Sequence, residues 1–463
     1  MDVYPPTERR SSLHGEWSSR FAFILAVAGS AVGLGNVWKF PYTLGSSGGS
    51  AFVLVYVLAI LFVATPIMIA EMIIGRHARA SAPTALAKVA QDSGSSRHWG
   101  LLGWMGIFAL FLVLSFYSVI AGWTAAYLVK SATGSLSGLS AVEVAAGFGD
   151  FTHNSGEVIF WHFLFTAVTI FIVSRGVKIG LERVVRVLMP ALFITLIALV
   201  INSAFVGEFA KAFKFLFTAD LSKLTPVVVL SAVGQAFFSV NVGIGAVLTY
   251  SSYLPQDVNI FRSSLIVTLG DTLVALLAGL AIFPIVFANN LDPGEGPGLV
   301  FVTLATAFAQ MPGGSFVGAV FFVMLVFAAL TSSISMLETM TARAIEIRGM
   351  TRNKAVIVIG SGTFLMGLVT VFSFSAWENV YLLDAIPTFA GKTPFDLIDY
   401  LVSNVLMPLG GMLYALFAGW WLSKDTSIYE MGAGESGVFK LWLVLVRVVA
   451  PLAVAAVFVF NLA

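Results

Sequence analysis

Cysteine is absent from the 463 residues of this chain, and charged side chains make up only 11% of them. Without thiols the chain cannot form disulfides, thiolate metal sites, iron–sulfur clusters or a cysteine nucleophile. The 25 lysine and arginine residues nearly balance 24 acids, which leaves no strongly basic surface for a nucleic acid. The five histidines form no His-Glu-x-x-His motif, no Gly-x-Ser-x-Gly elbow lies within a hydrophobic run, and no nucleotide-binding loop occurs. Enzymatic and nucleic-acid functions are therefore not expected.

Hydrophobic sequence is what the chain has in excess, at 58% of residues against about 45 to 50% in soluble proteins. Runs of about 20 apolar residues recur along the whole length, and each is long enough to cross a bilayer as a helix. They predict an all-α membrane protein with eleven spans, at 21–44, 50–74, 102–129, 157–173, 184–206, 226–254, 261–288, 314–341, 355–375, 396–422 and 438–461.

The distribution of lysine and arginine predicts the orientation of these spans. If the N-terminus is cytoplasmic, 18 basic residues fall on the cytoplasmic side and six outside, with Arg447 inside the last span. The polar segment 1–20 is then cytoplasmic, and an odd number of spans places the C-terminus outside. No Asn-x-Ser/Thr sequon occurs, which agrees with a bacterial inner membrane. The lipid bilayer is the partner that this composition indicates, and a monomer or weak dimer is expected.

Two glycine-rich segments interrupt hydrophobic runs in matching positions. Val32-Gly33-Leu34-Gly35-Asn36 lies within the first run, and Val242-Gly243-Ile244-Gly245 lies within the sixth. Because glycine weakens a helix, both spans are predicted to break inside the membrane. Each break opens a set of five spans, and since five is odd, the sets 21–206 and 207–422 have opposite orientations. Such an inverted repeat, here followed by an inner loop and one more span in 423–463, is typical of transporters. Ordinary small-residue helix packing is the alternative.

Several motifs give the sequence a family resemblance that covers nearly the whole chain. They are Trp17-Ser18-Ser19-Arg20, the segment from Gly29 to Asn36, Lys39-Phe40-Pro41-Tyr42, Gly48-Gly49, Pro66 with Glu71 and Gly75-Arg76, Gly234-Gln235-Ala236-Phe237-Phe238 and Leu330-Thr331-Ser332-Ser333. In these residues the chain resembles the neurotransmitter:sodium symporter family, in particular its bacterial amino-acid transporters with eleven spans. The resemblance implies a leucine-transporter-like fold with a five-plus-five inverted repeat and no enzymatic activity.

The resemblance also implies two sodium sites between a bundle that contains the broken helices and a scaffold. The first site would use the Ala31 carbonyl, the Asn36 side chain, Ser239 and Asp271, together with the substrate carboxylate. The second would use the carbonyls of Gly29, Val32 and Ala328 with the hydroxyls of Thr331 and Ser332. Considered alone, these two hydroxyls would more commonly bond back to their own helix.

Asp271 lies inside the seventh span, where an uncompensated carboxylate is unfavourable by about 2.5 to 3.5 kcal/mol. Many family members have asparagine here. Chloride-dependent members add a halide beside it, and chloride-independent bacterial members supply a glutamate four residues later, where this chain has Ala275. Asp271 is therefore expected to provide the fixed negative charge itself, so that transport needs no chloride. A protonated Asp271 that its neighbours satisfy is the alternative.

A zwitterionic amino acid is the substrate class that the resemblance implies. The N–H groups of Leu34 and Gly35 and the Tyr117 hydroxyl would face its carboxylate, and the carbonyls of Ala31, Phe238 and Ser239 its ammonium. Its side chain would lie among Val113, Phe238, Asn241, Ile244, Ser332 and Met336, which are mostly apolar. We therefore expect sodium-coupled import of large aliphatic and aromatic L-amino acids. Another zwitterion, an amine, or a channel function are the alternatives.

Gates on both sides of the pocket follow from the same resemblance. Lys39 and Asp399 match the outer gate pair, with Gln235 nearby. At the inner gate the family's arginine is replaced by His14, whose acidic partner aligns with Glu346; Arg20 is an alternative cation. Gly180 and Pro190 match a Gly-x9-Pro element that unwinds to let water reach the second sodium site, although a simple helix start would also fit them.

Overall fold

The computed structural model describes residues 16–218, 220–291, 293, 298–432 and 434–462, with side chains to residue 459. The first half of the chain forms α1 Arg20–Ala31, α2 Gly35–Ser46, α3 Ser50–Ala78, α4 Ala82–Asp92, α5 Arg97–Ala132, α6 Ala141–His153, α7 Ser155–Ser174 and α8 Val177–Val206. The second half forms α9 Phe209–Phe217, α10 Pro226–Val240, α11 Ala246–Ser251, α12 Ile260–Ala288, α13 Leu299–Gln310, α14 Gly314–Arg348, α15 Arg352–Ser373, α16 Pro394–Trp421, α17 Lys424–Met431 and α18 Gly437–Val459.

The all-α membrane fold is confirmed, whereas the count of eleven spans stays a prediction. Within the described residues nine helices are long and apolar enough to cross a bilayer, and the bent pair α1–α2 makes a tenth candidate. The run 226–254 forms the shorter helices α10 and α11 instead of one long helix. Other helices extend beyond their apolar runs, because their polar ends continue the hydrogen-bond ladder outside the lipid.

The first and sixth spans break where the glycine-rich segments lie. α1 ends at Ala31, α2 begins at Gly35, and their axes differ by 48°. Between α10 and α11 the backbone φ is +57° at Asn241, +91° at Gly243 and +78° at Gly245. Glycine adopts these left-handed values without steric cost, and asparagine tolerates them better than most residues. The residue types at the breaks therefore match the backbone conformation that the breaks require.

A scaffold of long helices surrounds the broken ones. α14 packs along α5 and also contacts α1, α8 and α15, while α12 packs against α8 and α1. At Gly106 of α5 an added Cβ would lie 2.5 Å from the carbonyl oxygen of Ile244. Only glycine at this position allows α5 to pack so closely against the backbone of the second break. The outward faces of α7, α8 and α15 expose large apolar side chains such as Phe163, Ile194 and Leu365. Faces of this kind suit lipid.

Helix α17 lies in the loop between α16 and α18 and is anchored to the end of α3 by Glu430. The Glu430 carboxylate lies 2.6 Å from Arg76 Nε and 3.2 Å from His77 Nδ1. Burial alone would raise the pKa of Glu430, but His77 and Arg76 together hold that pKa below its ordinary value. The loop is thus fixed to the transmembrane bundle by a buried ion pair.

Candidate functional site

A cavity lies between the two breaks and the scaffold. It is lined by Ser30, Ala31, Gly33, Gly35, Val113, Tyr117, Phe238, Asn241, Ser332, Met336 and Met407. Eight of these were predicted from the sequence as substrate-binding residues. Leu34, Ser239 and Ile244 were also predicted but lie just outside the lining, and Ser30, Gly33 and Met407 were missed. The breaks, α5, α14 and α16 therefore all contribute to one compartment.

The polar part of the cavity is built on the first break. The Leu34 N–H donates to the Tyr117 hydroxyl over 3.3 Å, and the Gly33 N–H donates to Asn36 Oδ1 over 3.1 Å. An added Cβ at Gly33 would lie 3.0 Å from the Tyr117 oxygen and would also collide with Ser332. Backbone N–H groups at a helix start attract an anionic group, which can take the place of a neutral acceptor such as the Tyr117 hydroxyl. The geometry therefore offers donors to a carboxylate at this end.

Apolar side chains from four elements make up much of the rest of the lining. Val113 comes from α5, Phe238 from the end of α10, Met336 from α14 and Met407 from α16. Asn241 lies nearby, and its amide Nδ2 lies 3.3 Å from the Ser30 hydroxyl, to which it can donate. Asn241 is therefore a polar residue in an otherwise largely apolar part of the lining.

Three of the residues predicted for the first sodium site form one fully buried cluster. Asn36 Nδ2 donates to Ser239 Oγ over 2.9 Å and to Asp271 Oδ1 over 2.8 Å, and Ser239 Oγ donates to Asp271 Oδ2 over 2.5 Å. Ala31, the fourth, ends α1 and lines the cavity. Tyr56 joins the cluster through a 2.8 Å contact between its hydroxyl and Ser239 Oγ. Nothing in the sequence pattern of α3 distinguishes Tyr56 from its apolar neighbours.

The five groups predicted for the second sodium site also lie together. Thr331 Oγ1 lies 3.0 Å from the Ala328 carbonyl oxygen and 3.5 Å from that of Val32, and Ser332 Oγ lies 3.5 Å from that of Gly29. Thr331 also donates back to Phe327 in its own helix, over 3.2 Å. The local bond that such hydroxyls commonly make is thus present beside the contacts across to α1. Neutral oxygens from two elements converge here, as a hard monovalent cation requires.

The outer gate residues are linked through an intermediate that the sequence did not indicate. Lys39 Nζ donates to Ser403 Oγ over 3.3 Å, and Ser403 Oγ donates to Asp399 Oδ1 over 2.9 Å. The Lys39 ammonium also lies 4.0 Å from the centre of the Phe238 ring. Gln235 Nε2 donates to the Gly35 carbonyl over 2.8 Å. This layer covers the cavity on one side.

On the other side Glu346 joins the ends of α14 and α4. It accepts hydrogen bonds from the Ser81 N–H over 2.6 Å, from the Ser81 hydroxyl, and from Thr84 Oγ1 over 3.1 Å. Its predicted partner His14 lies outside the described residues. The Trp17 indole donates to the Tyr250 carbonyl over 3.0 Å, which holds the start of the first span against α11. Several contacts therefore close this end.

The Gly-x9-Pro element is helical in this structure. Gly180 lies in a π-helical turn at the start of α8, and Pro190 lies inside the same continuous helix. The sulfur of Met189, the residue before the proline, packs against Gly29: a Cβ added to Gly29 would lie 3.2 Å from that sulfur. The proposed unwinding stays a prediction. Because Met189 lies beside Gly29, a change in this part of α8 would reach the second predicted sodium site directly.

Glu71 has a structural role that sequence reasoning did not assign. Buried in α3, it accepts from the Gly243 N–H over 2.6 Å and from the Leu248 N–H over 3.3 Å. These donors belong to the second break and to α11, where a helix start leaves N–H groups without partners. Glu71 therefore holds the open backbone of the break.

Replacing Glu71 with alanine is expected to lower the temperature of unfolding in detergent. Each buried N–H that loses its acceptor costs about 1 to 3 kcal/mol. Glu71→Gln keeps one acceptor oxygen and should lose about half as much. The two variants are compared by thermal unfolding at constant detergent and lipid. Equal losses in both would contradict this account, because they would show that the acceptor atoms are not what matters.

Comparisons with known proteins agree with this geometry. The model of the "Sodium:neurotransmitter symporter family" matches residues 14–143 and 139–463. The sodium-dependent transporter YhdH of Bacillus subtilis (strain 168) is 42% identical over 446 residues, which are 96% of each chain. A sodium-dependent transporter of Haemophilus influenzae is 35% identical over 454 residues, 96% of this chain and 98% of the relative. The crystal structure of MhsT in complex with L-phenylalanine has a TM-score of 0.89 and 41% identity, covering 96% of this chain and 99% of MhsT.

The matches extend over nearly the whole chain, and the family consists of transporters, not enzymes. Helices fit to span a bilayer and a cavity at two helix breaks are what a transporter of this kind needs. A small substrate, a membrane location and the use of sodium follow from the family. The chain belongs to the sodium:neurotransmitter symporter family and is a multi-pass, sodium-dependent symporter.

Proposed function

We propose that this symporter imports large aliphatic and aromatic L-amino acids with two sodium ions and without chloride. The observation that carries the proposal is the cavity between the breaks, whose lining combines the backbone of the first break with the apolar side chains of Val113, Phe238, Met336 and Met407. A hydrophobic amino acid has the same division between a charged head and an apolar side chain.

The charged head of the substrate would lie between the two breaks. Its carboxylate would accept from the N–H groups of Leu34 and Gly35 and from the Tyr117 hydroxyl, which already contacts Leu34. Its ammonium would donate to the carbonyls of Ala31, Phe238 and Ser239, which lie at the ends of α1 and α10. Helix ends carry opposite partial charges, so the two breaks together can hold both charges of a zwitterion.

The apolar part of the lining favours a range of hydrophobic side chains. Met336 and Met407 have unbranched, polarizable side chains that adapt to ligands of different shape. MhsT, at 41% identity, is bound to L-phenylalanine in its crystal structure. Both observations support aromatic and large aliphatic substrates in preference to small polar ones.

Sodium would occupy the two oxygen clusters as cargo. The first offers Asn36, Ser239 and the Asp271 carboxylate, and the second offers neutral carbonyls and hydroxyls around Thr331 and Ser332. Each sodium ion moving inward releases about 2.3 kcal/mol per 100 mV. Two ions give about 5 kcal/mol, which supports a substrate gradient on the order of a thousandfold.

Chloride independence is supported by the partners of Asp271. The donors Asn36 and Ser239 both point at its carboxylate, and the Tyr56 hydroxyl lies against Ser239. The Gln235 amide donates to the Gly35 carbonyl. Hydrogen bonds to a carboxylate favour its charged form, so Asp271 would supply the negative charge that a halide provides elsewhere in the family.

We also propose a cytoplasmic N-terminus, an outer C-terminus and location in a bacterial inner membrane. The support is the distribution of basic residues, of which 18 lie on one side and six on the other. A monomer or weak dimer fits a chain that holds its whole cavity within one set of helices.

Uptake by proteoliposomes tests the function directly. With an inward sodium gradient, labelled L-phenylalanine, L-leucine or L-tryptophan should accumulate, and the same uptake should persist when gluconate replaces chloride. Replacing sodium by potassium should abolish accumulation. Taurine and L-glutamate serve as small polar and charged controls. Sodium-driven accumulation of these controls, and none of the hydrophobic amino acids, would overturn the proposed substrate class; loss of uptake in gluconate would overturn chloride independence.

A further inference from the structure

Arg447 lies within the transmembrane helix α18, level with the last turn of α16, and its side chain is exposed. It is the eleventh of the 23 residues of α18, seven residues beyond Lys440. Val444, one turn before it, is 54% exposed, and the next residue, Val448, is 47% exposed, so the helix surface beside Arg447 is apolar and open. A face of this kind on a membrane helix contacts lipid. The arginine therefore faces the bilayer, where a charge without a partner is unfavourable.

The surroundings of Arg447 direct its head towards one end of the bundle. Helical side chains tilt towards the helix N-terminus, which in α18 is the end next to Lys440 and α17. Arg447 Nε donates to the Gly419 carbonyl over 2.5 Å, and Gly419 is the third residue from the end of α16. Long basic side chains commonly bury their stem and bring the charge to the membrane interface in this way.

Glycine and tryptophan shape the place where the guanidinium lies. A Cβ at Gly419 would be only 2.8 Å from Arg447 Cγ, so glycine makes room for the stem. The guanidinium carbon lies 5.2 Å from the centre of the Trp420 ring, and the Trp420 indole donates to the Arg447 carbonyl over 3.4 Å. Trp420 itself is 60% exposed and Trp421 is 44% exposed. Exposed tryptophans at a helix end mark the headgroup level of a bilayer.

A purely structural role explains only part of this arrangement. The bond to Gly419 satisfies a carbonyl in the last turn of α16, where cations are favoured. This hydrogen bond uses only the Nε of Arg447. Across the part of the chain that the structure describes, no carboxylate lies within 4 Å of the Arg447 guanidinium, and its two terminal nitrogens donate to no protein group. The Arg447 side chain is exposed, which leaves these nitrogens open to a group from outside the chain.

We propose that Arg447 and Trp420 bind the phosphate of one anionic phospholipid at the end of the bundle where α16 ends and α18 begins. The planar guanidinium presents paired N–H groups that match two phosphate oxygens, a geometry that a lysine cannot reproduce. The Trp420 ring covers one face of the guanidinium and lies at headgroup level. Under the orientation proposed above, this lipid belongs to the cytoplasmic leaflet.

The test is retention of lipid by the purified transporter in detergent, measured by native mass spectrometry. Phosphatidylglycerol, phosphatidylcholine and inorganic phosphate are added in separate arms. Arg447→Gln should lower the bound phosphatidylglycerol roughly tenfold, because a charged hydrogen-bond pair is lost. Arg447→Lys, which keeps the charge but not the fork, should also lose most of it. Lys440→Gln is the matched control, since it removes the same charge from an exposed position of the same helix, and it should retain the lipid.

Equal retention of phosphatidylglycerol by Arg447→Gln and the unchanged protein would overturn the proposal. So would binding of phosphatidylcholine or inorganic phosphate as tight as that of phosphatidylglycerol. Loss of a dimer in Arg447→Gln with unchanged lipid would assign this surface to a second copy of the chain instead. If Arg447→Gln fails to fold, Trp420→Phe serves as the second variant in the same measurement. It removes the indole but keeps an aromatic ring and leaves Arg447 in place, and bound phosphatidylglycerol should fall.

Discussion

Asp271→Asn is expected to raise the sodium concentration for half-maximal uptake at least about tenfold and to lower uptake at any fixed sodium gradient. The Asp271 carboxylate is fully buried, with Asn36 and Ser239 donating to its two oxygens. Asparagine has nearly the same shape but no charge, so the substitution removes the anion that would attract a sodium ion in a region of low dielectric constant. Uptake of labelled phenylalanine against sodium concentration, in chloride and in gluconate, gives the measurement.

The same variant separates the two states that Asp271 could have. A protonated Asp271 is neutral, and asparagine would imitate it, so sodium affinity would be almost unchanged. An ionised Asp271 predicts the large loss. Asp150→Asn provides the control, because Asp150 is exposed on α6 and its replacement changes the net charge by the same amount. An unchanged sodium dependence in Asp271→Asn would reject the fixed-charge account of chloride independence.

The helix breaks could be predicted from the sequence because their cause is local. Glycine at 243 and 245 is required by positive φ, and glycine at 33 by the close approach of Tyr117 and Ser332. Such requirements leave a signal in the residue type itself. The two oxygen clusters were predicted from the family resemblance, since Asp271 alone stands out as a charge inside a hydrophobic run, whereas Thr331 and Ser332 would pass for ordinary helix hydroxyls.

The residues that the sequence did not reveal act through contacts distant in the chain. Tyr56 reaches Ser239 from α3, and Ser403 reaches Lys39 from α16, at separations of 183 and 364 residues. Met407 looks like any other apolar residue of a membrane helix until the fold places it in the cavity. A buried tyrosine, serine or methionine has many ordinary roles, so only the arrangement of the helices distinguishes these.

Thr331→Val is expected to remove the second sodium ion while leaving the first. Valine matches the shape of threonine but lacks the hydroxyl that lies 3.0 Å from the Ala328 carbonyl and 3.5 Å from the Val32 carbonyl. A neutral shell that loses one of its oxygens should hold sodium at least about tenfold more weakly. The Hill coefficient for sodium should then fall from about two to about one.

Thr339→Val is the matched control for this prediction. Thr339 is fully buried in the same helix α14, and its hydroxyl donates to the Ser335 carbonyl over 2.8 Å. Both substitutions remove a buried hydroxyl that bonds back to its own helix, but only Thr331 also contacts the first break. Sodium dependence should change in Thr331→Val alone, since the contact with Val32 is what makes the hydroxyl part of a site between two helices. Equal effects of the two substitutions would assign the Thr331 hydroxyl to helix stability and leave the second ion without a ligand there.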